Sequence, residues 1–204
     1  MLQQDTYRKP FAQSSEENKH VILEAIRPFL MPRSNVLEIG SGTGQHAVHF
    51  AAEMPHLTWQ TSDLMESHDG INQWIADAEL TNVLAPLRLN VSEDAWPNER
   101  YDAVFTANSF HIMAHRNVED FFDNIASILT ENGIIMIYGP FNYNGQYTCE
   151  SNARFDVWLK QRNPESCIKD FEWSHQLAEN AGLSLLDDIE MPQNNRILVW
   201  QNNV

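Results

Sequence analysis

Cysteine, long apolar runs and positive charge are all scarce in this chain, and each scarcity removes a class of protein. The two cysteines, Cys149 and Cys167, form no CxxC pair and stand beside no metal-ligand cluster. That argues against a disulfide framework and a catalytic thiol. No segment approaches the roughly 18 to 20 consecutive apolar residues that a bilayer-spanning helix requires. The opening MLQQDTYRKPFAQSS lacks the apolar core of a signal peptide, so a soluble, cytoplasmic protein with no membrane partner is expected. Only 13 Lys and Arg stand against 28 Asp and Glu, a formal net charge of −15. A polyphosphate would be repelled unless the cations clustered, and Arg8, Lys9, Lys19, Arg27 and Arg33 are scattered among acids. Nucleic acid is therefore disfavoured as a partner, whereas a small nucleotide-like ligand is not.

What is present is a 204-residue chain, 43% hydrophobic and without repeats or low-complexity linkers, a length that suits one α/β domain over residues 1–204. SSEENKHVILEAIRPFL begins with a serine cap, carries a helical stripe at Val21, Ile22, Ala25, Ile26 and Phe29, and ends at Pro32. Strands are predicted at 35–39, 57–64, 86–91, 101–108 and 133–141, with helices over 45–53, 71–80 and 118–129. Asn132-Gly133 supplies a left-handed stop after the last of these helices. Further helices are expected near 153–161 and 171–181, and LSLLDDIEMPQNNRILVWQ reads as two strands around a hairpin turn at 191–195. Such alternation argues for a mostly parallel sheet with helices on both faces, to which the hairpin adds an antiparallel strand. Ligands of such sheets bind beyond the carboxyl ends of the strands, near the first strand-to-helix turn.

That turn is VLEIGSGTGQHA, with Gly40, Gly42 and Gly44. Glycine lets backbone approach a ligand, and the helix behind it favours negative groups. The spacing misses the GxGxxG of dinucleotide sites by one residue, and no Gly-Lys-Ser/Thr follows as in a P-loop. Asp63 ends the second strand roughly 20 residues on, where its carboxylate can accept both ribose hydroxyl protons. His46, His49, His111 and His115 have helical spacings but no accompanying carboxylate or cysteine motif, so no metal site is expected. Trp74, Trp96, Trp158, Trp173 and Trp200 fit core or helix-packing positions.

VLEIGSGTGQHA resembles the first motif of class I S-adenosylmethionine-dependent methyltransferases. The resemblance implies a Rossmann-like, mostly parallel seven-stranded sheet and S-adenosylmethionine as cofactor, with S-adenosylhomocysteine as product. It implies that Gly40, Gly42 and Gly44 pack against the methionine part and that Glu38 helps hold the ammonium group. Asp63 takes the ribose, and Asn90 and Val91 stand where the superfamily receives adenine. Five further segments are similar to a narrower family of predicted methyltransferases that includes methyltransferase-like protein 26. They are Asn18-Lys19, Asn108 to Ile112, YGPFNYNGQYT (138–148), SNARFD (151–156) and MPQNN (191–195). This adds Asn18 and Asn108 to the expected cofactor contacts and implies no settled substrate. The Asn/Asp-Pro-Pro-aromatic sequence of nucleic-acid amino-methylating enzymes is missing after the fourth strand, in keeping with the acidic charge.

A methyl acceptor is expected at the same rim of the sheet, most simply a small polar molecule. Asn142, Tyr143, Asn152 and Asn195 are candidates to orient it, and His111, Tyr138 and Asp156 are candidate bases by position. Plainer roles stay open: a hydrogen-bonded structural His111, a Ser151-Asn152 helix cap, and turn chemistry at Asn194 and Asn195. Two other functions also stay open. A non-catalytic cofactor-binding or protein-interaction module would share the fold without product formation. A nicotinamide-dependent oxidoreductase would share the turn and acid, but the glycine spacing and a Tyr-x-x-x-Lys pair are missing.

Overall fold

The computed structural model describes residues 9–203, so the stretch read for a leader lies partly outside the described residues. In chain order the elements are α1 (Gln13–Leu30), β1 (Asn35–Ile39), α2 (Gln45–Glu53), β2 (Thr58–Asp63), α3 (His68–Ala78), β3 (Val83–Arg88), β4 (Tyr101–Ala107), α4 (His115–Ile128), β5 (Leu129–Gly139), β6 (Phe141–Asn142), α5 (Glu150–Arg162), β7 (Lys169–Asp170), α6 (Phe171–Asn180), β8 (Leu183–Met191) and β9 (Asn195–Asn202). Among the described residues seven strands form one sheet in the order β3-β2-β1-β4-β5-β9-β8, while β6 and β7 pair separately. The first five strands of that order run parallel; β9 is antiparallel to both β5 and β8.

Continuous apolar runs such as Ile134 to Tyr138 suit strands covered on both faces. Ile134, Met136 and Tyr138 join Phe50, Trp59 and Phe105 under α1 and α2. Ile135 and Ile137 point the other way, to Phe121, Phe122 and Ile125 of α4 and Ala178 of α6. The strand order reverses between β1 and β4, which opens a crevice at their carboxyl ends.

Four local readings of the sequence need correction. α1 begins at Gln13 without a side-chain cap, because the entering chain is held by α2: Gln45 Oε1 accepts from the Ala12 amide at 2.6 Å. β3 starts at Val83 and contains Pro86, since an edge strand can lose one N–H without breaking the ladder. Asn90 and Val91 therefore follow the strand. Asn132, at φ 60°, bends the start of β5 and does not stop α4, which ended at Ile128. α5 is capped by Cys149, whose Sγ accepts from the Asn152 amide at 3.4 Å, and not by Ser151-Asn152.

Candidate functional site

Two cavities meet at the crevice. The first, about 530 Å³, is lined by Gly40 to Thr43 of the glycine turn, Asp63, Leu89 to Val91, and Asn108. Gly40, Gly42 and Gly44 all have positive φ. Gly40 and Ser41 donate their amides to Ser62 O at 3.0 and 2.9 Å, which ties the turn to β2. A Cβ on Gly42 would meet nothing within 4 Å, so this residue offers bare backbone to the cavity. Asp63 accepts from the Gly42 and Leu64 amides, both at 2.7 Å. Burial raises its pKa, and those two amides oppose the rise. Asn90 Oδ1 accepts from the Ser92 amide at 3.1 Å, leaving it one further lone pair.

The second cavity, about 1130 Å³, lies between α1, α5 and the β8–β9 turn and shares Ser14, Asn108 and Ile112 with the first. Asn18, His111, Tyr138, Asn152 and Asn195 all line it. His111 is 7% exposed and has no hydrogen-bond partner among the described residues; Phe155 stands edge-on to it at 5.2 Å. Burial lowers its pKa to about 4, so the imidazole is neutral near pH 7. Burial also raises the Tyr138 pKa, against hydrogen bonds from Asn18 and Asn195, so its hydroxyl stays protonated. Asn18 Oδ1 lies 2.8 Å from His46 Nε2, linking α1 to α2 directly behind the glycine turn. Asn152 Nδ2 donates to Thr148 Oγ1 and to Asn194 O, joining α5 to the hairpin turn.

Five expected site residues line neither cavity. Gly44 turns toward α3, where a Cβ on it would stand 3.2 Å from Ile71 Cα. Glu38 is 1% exposed behind the turn, accepting from Trp59 Nε1 at 3.2 Å, with its pKa raised by burial to about 7. Asp156 lines neither cavity and is engaged by three donors: Ile168 N, Tyr147 Oη and Lys160 Nζ donate to it at 2.6, 2.7 and 2.6 Å. Burial pushes its pKa up, but these partners outweigh it and hold the carboxyl low. Tyr143 stacks on Phe171 and donates to Asp188, which Arg196 also pairs at 2.7 Å. Asn142 does not line either cavity; its Oδ1 is buried without a partner among the described residues.

Conversely, Ile112, Phe155, Trp158 and Arg162, none of them a candidate from the sequence, line the larger cavity. Trp158 is 47% exposed on that wall, which corrects its assignment to helix packing. The available signal was the α5 stripe Asn152, Phe155, Trp158, Leu159, Arg162, one helix face of mixed chemistry.

Comparison with solved structures agrees with this architecture: the fold is that of the class I S-adenosylmethionine-dependent methyltransferases. The S-adenosylmethionine-dependent methyltransferase SibL in its apo form superposes with a TM-score of 0.80 at 18% identity, over 94% of this chain and 56% of that one. Human N-acetylserotonin methyltransferase in complex with SAM gives 0.80 at 14% identity, over 94% and 53%. An O-methyltransferase family protein from Burkholderia thailandensis gives 0.75 at 16% identity, over 93% and 59%. The chain thus spans little more than half the length of these proteins. Residues 9–202 match the family described as protein of unknown function (DUF938), and the chain belongs to that family.

Proposed function

We propose that this protein binds S-adenosylmethionine in the smaller cavity and directs methyl transfer to a small-molecule acceptor in the larger one. The observation that carries the reading is the junction of the cavities at Asn108 and Ile112, with bare Gly42 backbone and the Asp63 carboxylate on one side and the unpartnered His111 on the other. The donor set suits that cofactor. Asp63, at the end of β2, can exchange its amide partners for ribose hydroxyls, and an acidic protein tolerates a cationic sulfonium ligand better than a pyrophosphate. The bound cofactor would supply a methyl group already activated on sulfur.

The chain's own part is then alignment, water exclusion and proton handling. Tyr138, kept protonated by burial, orients groups as a hydrogen-bond donor. His111, kept neutral, is the group able to take an acceptor proton; Asp156 is held by three donors and stands outside both cavities. Calorimetric titration with S-adenosylmethionine, S-adenosylhomocysteine and NAD tests the reading. Saturable binding of the first two, weakened about tenfold or more by Asp63→Ala, is expected from the loss of a charge-assisted contact. Binding of NAD alone, or of none, would overturn it.

A further inference from the structure

The wall of the larger cavity is a ladder of flat groups. His111 meets the Phe155 ring at 5.2 Å, Phe155 stacks on Trp158 at 5.7 Å and 19°, and the Arg162 guanidinium lies 4.7 Å from the Trp158 ring centre. The three rungs on α5 follow helical spacing, so one helix face carries the series from the buried imidazole to an exposed cation. Among the described lysines and arginines, Arg162 alone makes neither a hydrogen bond nor an ion pair. It is also the only cation among the described residues that line the cavity. The one acid among those described residues, Glu17 on α1, already accepts from Gln13 Nε2 at 2.9 Å. Two of the chain's large exposed apolar side chains, Ile112 at 59% and Trp158 at 47%, lie on this cavity, where a flat apolar body would cover them.

Resting on the reading above, we propose that the methyl acceptor is a planar aromatic carboxylate with a hydroxyl at its far end. The ring system lies along Phe155, Trp158 and Ile112, the acid reaches Arg162 at the mouth, and the hydroxyl reaches His111 at the inner end. A guanidinium pairs a carboxylate with paired N–H donors, and an aromatic body keeps the two polar ends a fixed distance apart. In the transfer the acceptor oxygen bonds to the methyl carbon as the carbon–sulfur bond breaks, with its electron pair remaining on sulfur. The hydroxyl proton passes to a His111 ring nitrogen and then to water.

The test is calorimetry on the full chain saturated with S-adenosylhomocysteine, using 6-hydroxy-2-naphthoate, 2-naphthol and 4-hydroxycyclohexanecarboxylate as probes. The naphthoate is expected to bind saturably, 2-naphthol about tenfold more weakly, and the non-planar acid not measurably. Arg162→Gln, a change at an exposed position, should bring the naphthoate down to the affinity of 2-naphthol and leave 2-naphthol unchanged. With S-adenosylmethionine supplied, mass spectrometry should find the new methyl group on the hydroxyl oxygen. The proposal is overturned by equal naphthoate affinity in wild type and Arg162→Gln, by methylation of the carboxylate, or by no naphthoate binding while S-adenosylhomocysteine binds. Failure of S-adenosylhomocysteine itself to bind would instead bring down the parent reading.

Discussion

Two glycines of the turn are expected to fail in opposite ways when given a methyl group. Gly42 and Gly44 have φ of +59° and +89°. At Gly42 a Cβ meets nothing within 4 Å, while at Gly44 it stands 3.2 Å from Ile71 Cα and 3.4 Å from Trp74 Cβ on α3. Gly42→Ala therefore costs left-handed backbone strain alone, about 1–2 kcal/mol, or a few degrees of Tm. Gly44→Ala adds overpacking of about 1–3 kcal/mol against a helix backbone that cannot yield cheaply, for about 2–5 kcal/mol in all. Ligand affinity should rank the other way. The Gly42 methyl enters the smaller cavity, whereas Gly44 is not among its lining residues. Gly42→Ala should weaken S-adenosylhomocysteine binding by more than about tenfold, about 1.4 kcal/mol. Gly44→Ala, measured below its lowered Tm, should bind nearly as wild type. Urea unfolding and calorimetry on the two variants decide it. The reasoning is wrong if Gly42→Ala is the less stable variant, or if it binds as tightly as wild type.

Glu38 holds its proton more tightly folded than unfolded, its pKa being raised from 4.5 to about 7, so its ionisation destabilises the fold as pH rises between those values. Glu38→Gln should be more stable than wild type by about 3 kcal/mol at pH 8, with the difference vanishing near pH 4 in paired denaturation curves. Tyr143→Phe removes the donor to Asp188 but leaves Arg196 in place; a loss of about 1–2 kcal/mol is expected, with unchanged S-adenosylhomocysteine affinity. Asp156→Asn weakens the anchor of Ile168 and Lys160, for about 1–3 kcal/mol. Hydrogen exchange should quicken around 166–170, whereas an equally large loss of S-adenosylhomocysteine binding would contradict its placement outside the cavities.

The parts legible in the sequence were those with local causes. A glycine turn between an apolar strand and a helix carries its own signature, as does Pro192 to Asn195, where Gln193 and Asn194 adopt the left-handed backbone that a tight reversal needs. Local reasoning failed where a distant partner decided the outcome. The start of α1 depends on Gln45, more than thirty residues away. The extent of β3 depends on its being the sheet edge. For Asp156 and Trp158 the deciding quantity was helical phase. Positions 155, 158 and 162 share the face toward the cavity, while 156 and 160 turn toward Ile168 and Tyr147. A polar residue near a site and an aromatic residue on a helix were each assigned by type, and in both cases phase had more to say.

The position of β9 in the sheet imposes an order on assembly. β8 touches the rest of the sheet through β9 alone, because β9 lies between it and β5. During synthesis β8 emerges first and has no sheet partner until the residues after it arrive. The turn joining them carries Pro192, Gln193 and Asn195 to the larger cavity. A nascent chain can thus assemble the cradle around Gly42 and Asp63 before the hairpin arrives, while the wall of the larger cavity closes only with the final strand.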